Sequence, residues 1–368
     1  MTVKAQIEQW FEHFHAHPEV SWQEVETTRQ LAEILTGLGV KHHTFDDVTG
    51  VVAEIGEGDR IIAVRADIDA LWQEVDGVYQ ANHSCGHDAN ISMVLGALRY
   101  LQQEALGSRI RFIFQPAEEK GNGANAMIER GAVDGVSHLF GVHLRPQEEI
   151  PFGKVAPAIH HGAAVFLEGR ITGVDAHGAR PHQGNNALDP LFAIAQFIKT
   201  IQFSPYEAYS AKLTKVQAGG DSLNIIPGTA TFAIDARSQS NSVLNELQER
   251  ITAGIEAIGK MHAVEIELIW SDYTPAAEVA EEAVAIATEA IVETVGEEAF
   301  SPAIITSGSD DFHFYTIHQP ALKAAMIGIG ADLAPGLHHP AMTFNREALD
   351  IGARVLSATL KKASYWKN

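Results

Sequence analysis

Cysteine is almost absent: Cys85 is the only one in 368 residues. A single thiol closes no internal disulfide, which excludes a secreted, disulfide-stapled scaffold. Positive charge is also scarce, with 26 Lys and Arg against 47 Asp and Glu, a formal net charge of -21. Such a surface repels phosphate backbones and anionic membranes, so neither nucleic acid nor membrane is expected as a partner. No apolar run reaches the roughly 18 residues of a membrane span. The N-terminal stretch has no apolar signal core; Ile7, Trp10, Phe11 and Phe14 follow helical spacing instead. A cytoplasmic location is therefore expected. What the chain does have is 46% hydrophobic residues, ample for a large core, and 18 histidines.

The pattern along the chain is α/β at both ends. Ser21 and Glu24 form a capping-box pair ahead of a helix with Leu31, Ile34, Leu35 and Leu38 on one face. The runs GVVAEIG, RIIAVRA, RIRFIFQP and HLFGVHLRP read as strands, and ISMVLGALRYLQQEA as a helix. Such alternation predicts a mostly parallel sheet covered by helices. The middle, from about Ala164 to Tyr273, has the order β-α-β-β-α-β of a ferredoxin-like unit. The expected architecture is one α/β domain built from residues 1–163 and 274–368, with residues 164–273 inserted as a smaller α+β domain.

Residues of metal-ligand type sit where strands are expected to end. Asp67 and Asp69 follow one strand, Glu118 and Glu119 another, and His143 closes a third, while Cys85-Gly86-His87-Asp88 turns into a helix. In open α/β sheets ligands gather outside the carboxyl ends of the strands, so these segments can share one pocket. Each has a plainer reading. A lone cysteine is more often a small buried hydrophobe, Glu118-Glu119 suits a helix start, and the aspartates suit caps. Coincidence at several strand ends is the harder explanation, and Cys-x-His brings two good metal donors together.

Taken together, HPEVSWQEVET, VRADIDAL, SCGHD, FQPAEE, GVHLRP, DAHGARPHQGNNALDP, LNIIPGTA, GSDDF and LHHP span nearly the whole chain. In this order they resemble the di-metal aminoacylase/carboxypeptidase superfamily, in its N-acyl-amino-acid amidohydrolase branch of hippurate and auxin-conjugate hydrolases. The resemblance implies a zinc-exopeptidase-like catalytic domain and an inserted ferredoxin-like lid or dimerisation domain. It implies two divalent metal ions on Cys85, His87, Glu119, His143 and His338, with Glu118 as general base and Asp69 orienting a ligand. His177 matches the inserted-domain histidine that helps bind the reacting carbonyl, in some members from the partner subunit. Asn224 and Arg237 match substrate contacts. Ala89 and Asn90 stand where the branch has glycine and histidine, and Leu71-Trp72 where it has Leu-Pro; both changes bear on substrate preference.

The implied chemistry is coherent. Amide hydrolysis needs a nucleophile at neutral pH and a place for negative charge, and two ions about 3.5–4 Å apart supply both. A carboxylate beside the water collects its proton and passes it to the departing amine. The expected activity is metal-dependent cleavage of a small N-acyl amino acid, with zinc or manganese, or else cobalt or nickel, as the cofactor and a homodimer as the assembly. The alternatives are a dipeptidase or carboxypeptidase with the same centre, a non-catalytic metal-binding protein, and a hydrolase using Cys85 as nucleophile.

Overall fold

The computed structural model describes residues 1–366, which divide into two compact units. One comprises Met1–His160, Glu278–Ile305 and the chain from Asp310 onward; the other comprises His161–Ala277 and Thr306–Ser309.

The first unit is built on a seven-stranded sheet. Its strands lie in the order Lys41–Thr44, Val51–Ile55, Arg109–Gln115, Ile61–Asp67, Val136–Pro146, Lys323–Leu333, Val155–Ala156. The four strands from Arg109–Gln115 to Lys323–Leu333 are parallel. The outer pairs are antiparallel, which corrects the expectation of a mostly parallel sheet: parallel pairing is confined to the centre. Ile61–Asp67 is buried at every position, as expected of a strand covered on both faces. Phe112, Phe114 and Phe140 are wholly buried, each contributing about 1.5–3 kcal/mol of apolar burial.

Three helices pack together over this core: Val3–Ala16, His87–Leu101 and Glu347–Tyr365. The first is capped by Thr2, whose hydroxyl accepts the Ala5 N–H. The second crosses its neighbours closely because residue 96 is glycine. A Cβ there would lie 2.5 Å from Ile7 Cδ1 and 2.8 Å from Ala353 Cβ.

The Ser21–Glu24 capping box does not form. The helix Val25–Gly37 begins after Glu24, and the Ser21 hydroxyl donates to Asp69 instead. Glu24 is buried, accepting the Thr49 hydroxyl and the Ala117 N–H. The cap is Glu19, whose carboxylate accepts the N–H groups of Glu26 and Thr27. Tertiary partners for both box residues outcompete the local motif.

The second unit has a four-stranded antiparallel sheet in the order Tyr209–Ala218, Thr229–Ser238, Ala163–Thr172, Glu265–Thr274. Its helices Leu188–Ile198 and Asn241–His262 pack on one core with it. In chain order the strands stand 2-3-1-4, the arrangement of a ferredoxin-like unit. Among the described residues no helix is long and apolar enough to cross a membrane.

Candidate metal centre

The centre is assembled by short turns at the ends of well-buried elements. Gly86 takes φ +86° and starts the helix His87–Leu101, so Cys85 lies just outside the helix and His87 is its first residue. Ala117, at φ +52°, turns the chain after Arg109–Gln115 into a 3-10 turn, Glu118–Lys120. Glu118 and Glu119 therefore lie on that turn, beyond the strand end. His143 lies within its strand, three residues before the expected stop at Pro146. His338 sits in the left-handed region, at φ +64°.

These turns bring six of the expected residues together. Donor atoms of Cys85, His87 and His143 lie within 4.8 Å of one another, as do those of Cys85, Glu119 and His338, and those of His87, Glu118 and Glu119. Cys85, His87 and His143 are buried, whereas the His338 side chain is 55% exposed.

The hydrogen bonds fix which atoms face inward. His87 Nδ1 donates to the Asp69 main-chain carbonyl at 2.9 Å and to its Oδ1 at 3.1 Å. His143 Nδ1 donates to the Leu144 carbonyl at 2.7 Å. Because carbonyls only accept, each neutral ring keeps its lone pair on Nε2. His143 Nε2 lies 3.7 Å from Cys85 Sγ. His87 Nε2 and Glu119 Oε1 are buried with no hydrogen-bond partner. Asp69 also accepts the Ser21 hydroxyl at 2.6 Å and the Glu119 N–H at 3.0 Å, so one carboxylate orients both a histidine and the Glu119 backbone.

The electrostatics call for cations. Burial, then Asp310, Glu119 and Asp311, push Glu118 well above the usual carboxylate range. Burial and Cys85 push Glu119 up to about 7. Burial opposes ionisation of Cys85, but His87, His143 and His338 pull its thiol well below the ordinary range. The neighbouring Cys85 and Glu119 raise His338 to about 10. A soft thiolate, imidazole lone pairs and a carboxylate, with His87 Nε2 and Glu119 Oε1 left without protein partners, fit divalent metal ions.

Sequence reasoning named Asp67 and the GSDDF turn but missed Arg65 and Gln115, which join them beside this centre. Arg65, 1% exposed, donates to Asp67 at 2.6 Å, to Asp311 at 2.8 Å and to Gln115 at 2.9 Å. Gln115 Nε2 donates to both Asp311 oxygens. The Asp311 N–H points to Glu118 Oε1 at 3.4 Å. A strand reading treats Arg65 and Gln115 as interruptions of an apolar run; that they interrupt a fully buried strand was the available signal. Asn90, where the branch has histidine, donates to Asp67 Oδ1 at 2.8 Å.

The other expected residues lie on the second unit. His177 is exposed, and its Nδ1 accepts the Ala179 N–H at 3.0 Å, which leaves the proton on Nε2. Asn224 is exposed, and its carbonyl accepts the Gly178 N–H. Arg237 pairs with Asp235 on its own strand at 2.9 Å and donates to the Ser307 carbonyl. None of the three belongs to the ligand groups.

The sequence profile of Peptidase family M20/M25/M40 matches residues 63–362. The chain belongs to this family. Among its M20 relatives is an N-acetylcysteine deacetylase of Bacillus subtilis (strain 168), 32% identical over 92% of this chain and 92% of the relative. Another is an IAA-amino acid hydrolase, ILR1-like 2, of Arabidopsis thaliana, 30% identical over 93% of this chain and 81% of the relative. Among solved structures, a dinuclear metal-binding M20 peptidase of Bacillus subtilis superposes with a TM-score of 0.84 at 27% identity, covering 98% of each chain. The protein is thus an M20 hydrolase of the metal-dependent amidohydrolase kind.

Proposed function

We propose that this protein cleaves N-acyl amino acids into a carboxylic acid and an amino acid, using zinc or manganese. The observation that carries the reading is Glu118. It is a carboxylate only 12% exposed, next to the ligand-type Glu119, with Oε2 3.8 Å from His87 Nε2, at a centre whose other inward-facing groups are metal donors. A purely metal-storing site has no use for that extra carboxylate.

In this reading Cys85, His87, Glu119, His143 and His338 hold two divalent ions, which supply an activated water and a Lewis acid for the carbonyl oxygen. Glu118 takes the proton of the attacking water and delivers it to the departing nitrogen. Asp69 keeps His87 in the tautomer that offers Nε2. His177, with its proton on Nε2, is suited to donate to the developing oxyanion. Asn224 and Arg237 are assigned to substrate contacts, Arg237 through N–H groups beyond those that meet Asp235 and Ser307. The two relatives named for N-acetylcysteine deacetylation and IAA-amino acid hydrolysis support the substrate class.

The test is amine release from N-acetyl, N-benzoyl and longer N-acyl amino acids beside a dipeptide panel, with zinc or manganese supplied. The expected result is release from one or more acyl amino acids. Release from dipeptides alone would replace this reading with a peptidase.

A further inference from the structure

His338 differs from the other ligand-type residues of the centre. Cys85, His87 and His143 are buried and held by packing, whereas His338 is more than half exposed and occupies a left-handed backbone conformation that only a few per cent of non-glycine residues adopt. Packing therefore does not determine its position; its backbone hydrogen bonds do. Its N–H donates to the Ser84 carbonyl at 2.9 Å, one residue before Cys85. Its carbonyl accepts from Gln73 Nε2 at 3.1 Å.

Gln73 is itself held in place. It lies on a two-stranded hairpin, Leu71–Val75 with Val78–Asn82, turned by Asp76 and Gly77, both at positive φ. Asn82, on the facing strand, donates to Gln73 Oε1 at 2.8 Å and to the Pro340 carbonyl at 3.0 Å. The hairpin thus grips the 338–340 loop at two carbonyls, and the Asn82 bond leaves the Gln73 amide N–H groups facing that loop.

We propose that Gln73 and Asn82 are positioning residues for one of the two metal sites, the one that includes Cys85, Glu119 and His338. This rests on the metal-centre reading given above. Removing the clamp frees an exposed residue from a disfavoured conformation, so the cost falls on the ion that uses His338. The site of Cys85, His87 and His143 keeps its packing and its Nδ1 hydrogen bonds. Loss of an outer hydrogen bond to a ligand typically weakens metal binding about 10–100-fold.

The experiment titrates metal-loaded full-length protein with a chelator and counts bound zinc by mass spectrometry, with cobalt-loaded samples followed by their visible spectrum. Gln73→Met keeps the length of the side chain and removes the donor; Gln73→Lys restores a donor at similar reach; Asn82→Leu tests the second residue. The expected result for Gln73→Met and Asn82→Leu is one ion lost at least about tenfold more readily than in the parent, with the other retained and the thermal midpoint little changed. Gln73→Lys should recover much of that affinity. Unchanged binding of both ions, equal weakening of both, or identical behaviour of the Met and Lys variants would overturn the proposal. A parent protein that binds no metal would instead overturn the metal-centre reading itself.

Discussion

Asp69 bonds to three separate segments: the Ser21 hydroxyl, the His87 imidazole and the Glu119 N–H. Hydrogen bonds from His87 and Ser21 hold it below the usual carboxylate range in spite of its burial. Asp69→Asn keeps the shape and the main-chain carbonyl that His87 Nδ1 meets but removes the carboxylate charge that strengthens this imidazole as a donor, so metal affinity should fall about 10–100-fold with little change in fold; chelator competition measures it, and parental affinity would contradict it. A second residue-scale prediction concerns His313, which burial pushes down to about 4. Below the ordinary histidine value of about 6.5 the unfolded chain binds a proton that the folded chain refuses. His313 thus costs no stability above that pH and progressively more as pH falls toward about 4, on the order of 3 kcal/mol in full. Denaturant unfolding across this window should show a shallower loss for His313→Gln than for the parent; parallel curves would contradict it.

At the scale of elements, the helix His87–Leu101 carries the centre, and Gly96 sets how closely it meets Val3–Ala16 and Glu347–Tyr365. Gly96→Leu overfills that crossing and should cost about 1–3 kcal/mol or more, with looser metal retention because His87 begins the same helix. Denaturant midpoints and metal content check this; a neutral substitution would show that the crossing has room. The long apolar elements were legible in the sequence, since periods of 2 and 3.6 are properties of the chain itself. The turns with Cys85, Glu118 and His338 were legible as residue types but not as geometry, because their convergence is decided by strand order. The hairpin Leu71–Asn82 was missed even though Asp76-Gly77 between Val75 and Val78 is a strong hairpin signal; its polar alternation hid it beside the apolar strands. The capping box misled because Ser21 and Glu24 have buried partners that lie far away in sequence. Arg65 could be noticed as a charge in a buried run, but its partner Asp311 is 246 residues away.

For the whole molecule, His177 lies in a different unit from the proposed metal ligands and in none of the donor groups among the described residues. His177→Ala should therefore keep its metals and lose about 10²–10³ in kcat if it serves as the oxyanion donor. Mixing it with Glu118→Ala subunits tests whether a partner supplies it: regained activity in mixed dimers means action across subunits, and none, with mixed dimers formed, means action within one chain. The central claim, that a metal-dependent hydrolysis is driven by Glu118, is tested most directly by stripping the protein with chelator, reloading it with zinc or manganese, and measuring amine release for parent and Glu118→Gln. The account predicts that reloading restores the parent, while Glu118→Gln binds both ions yet stays inactive. Activity that survives stripping, or a fully active metal-loaded Glu118→Gln, would contradict it.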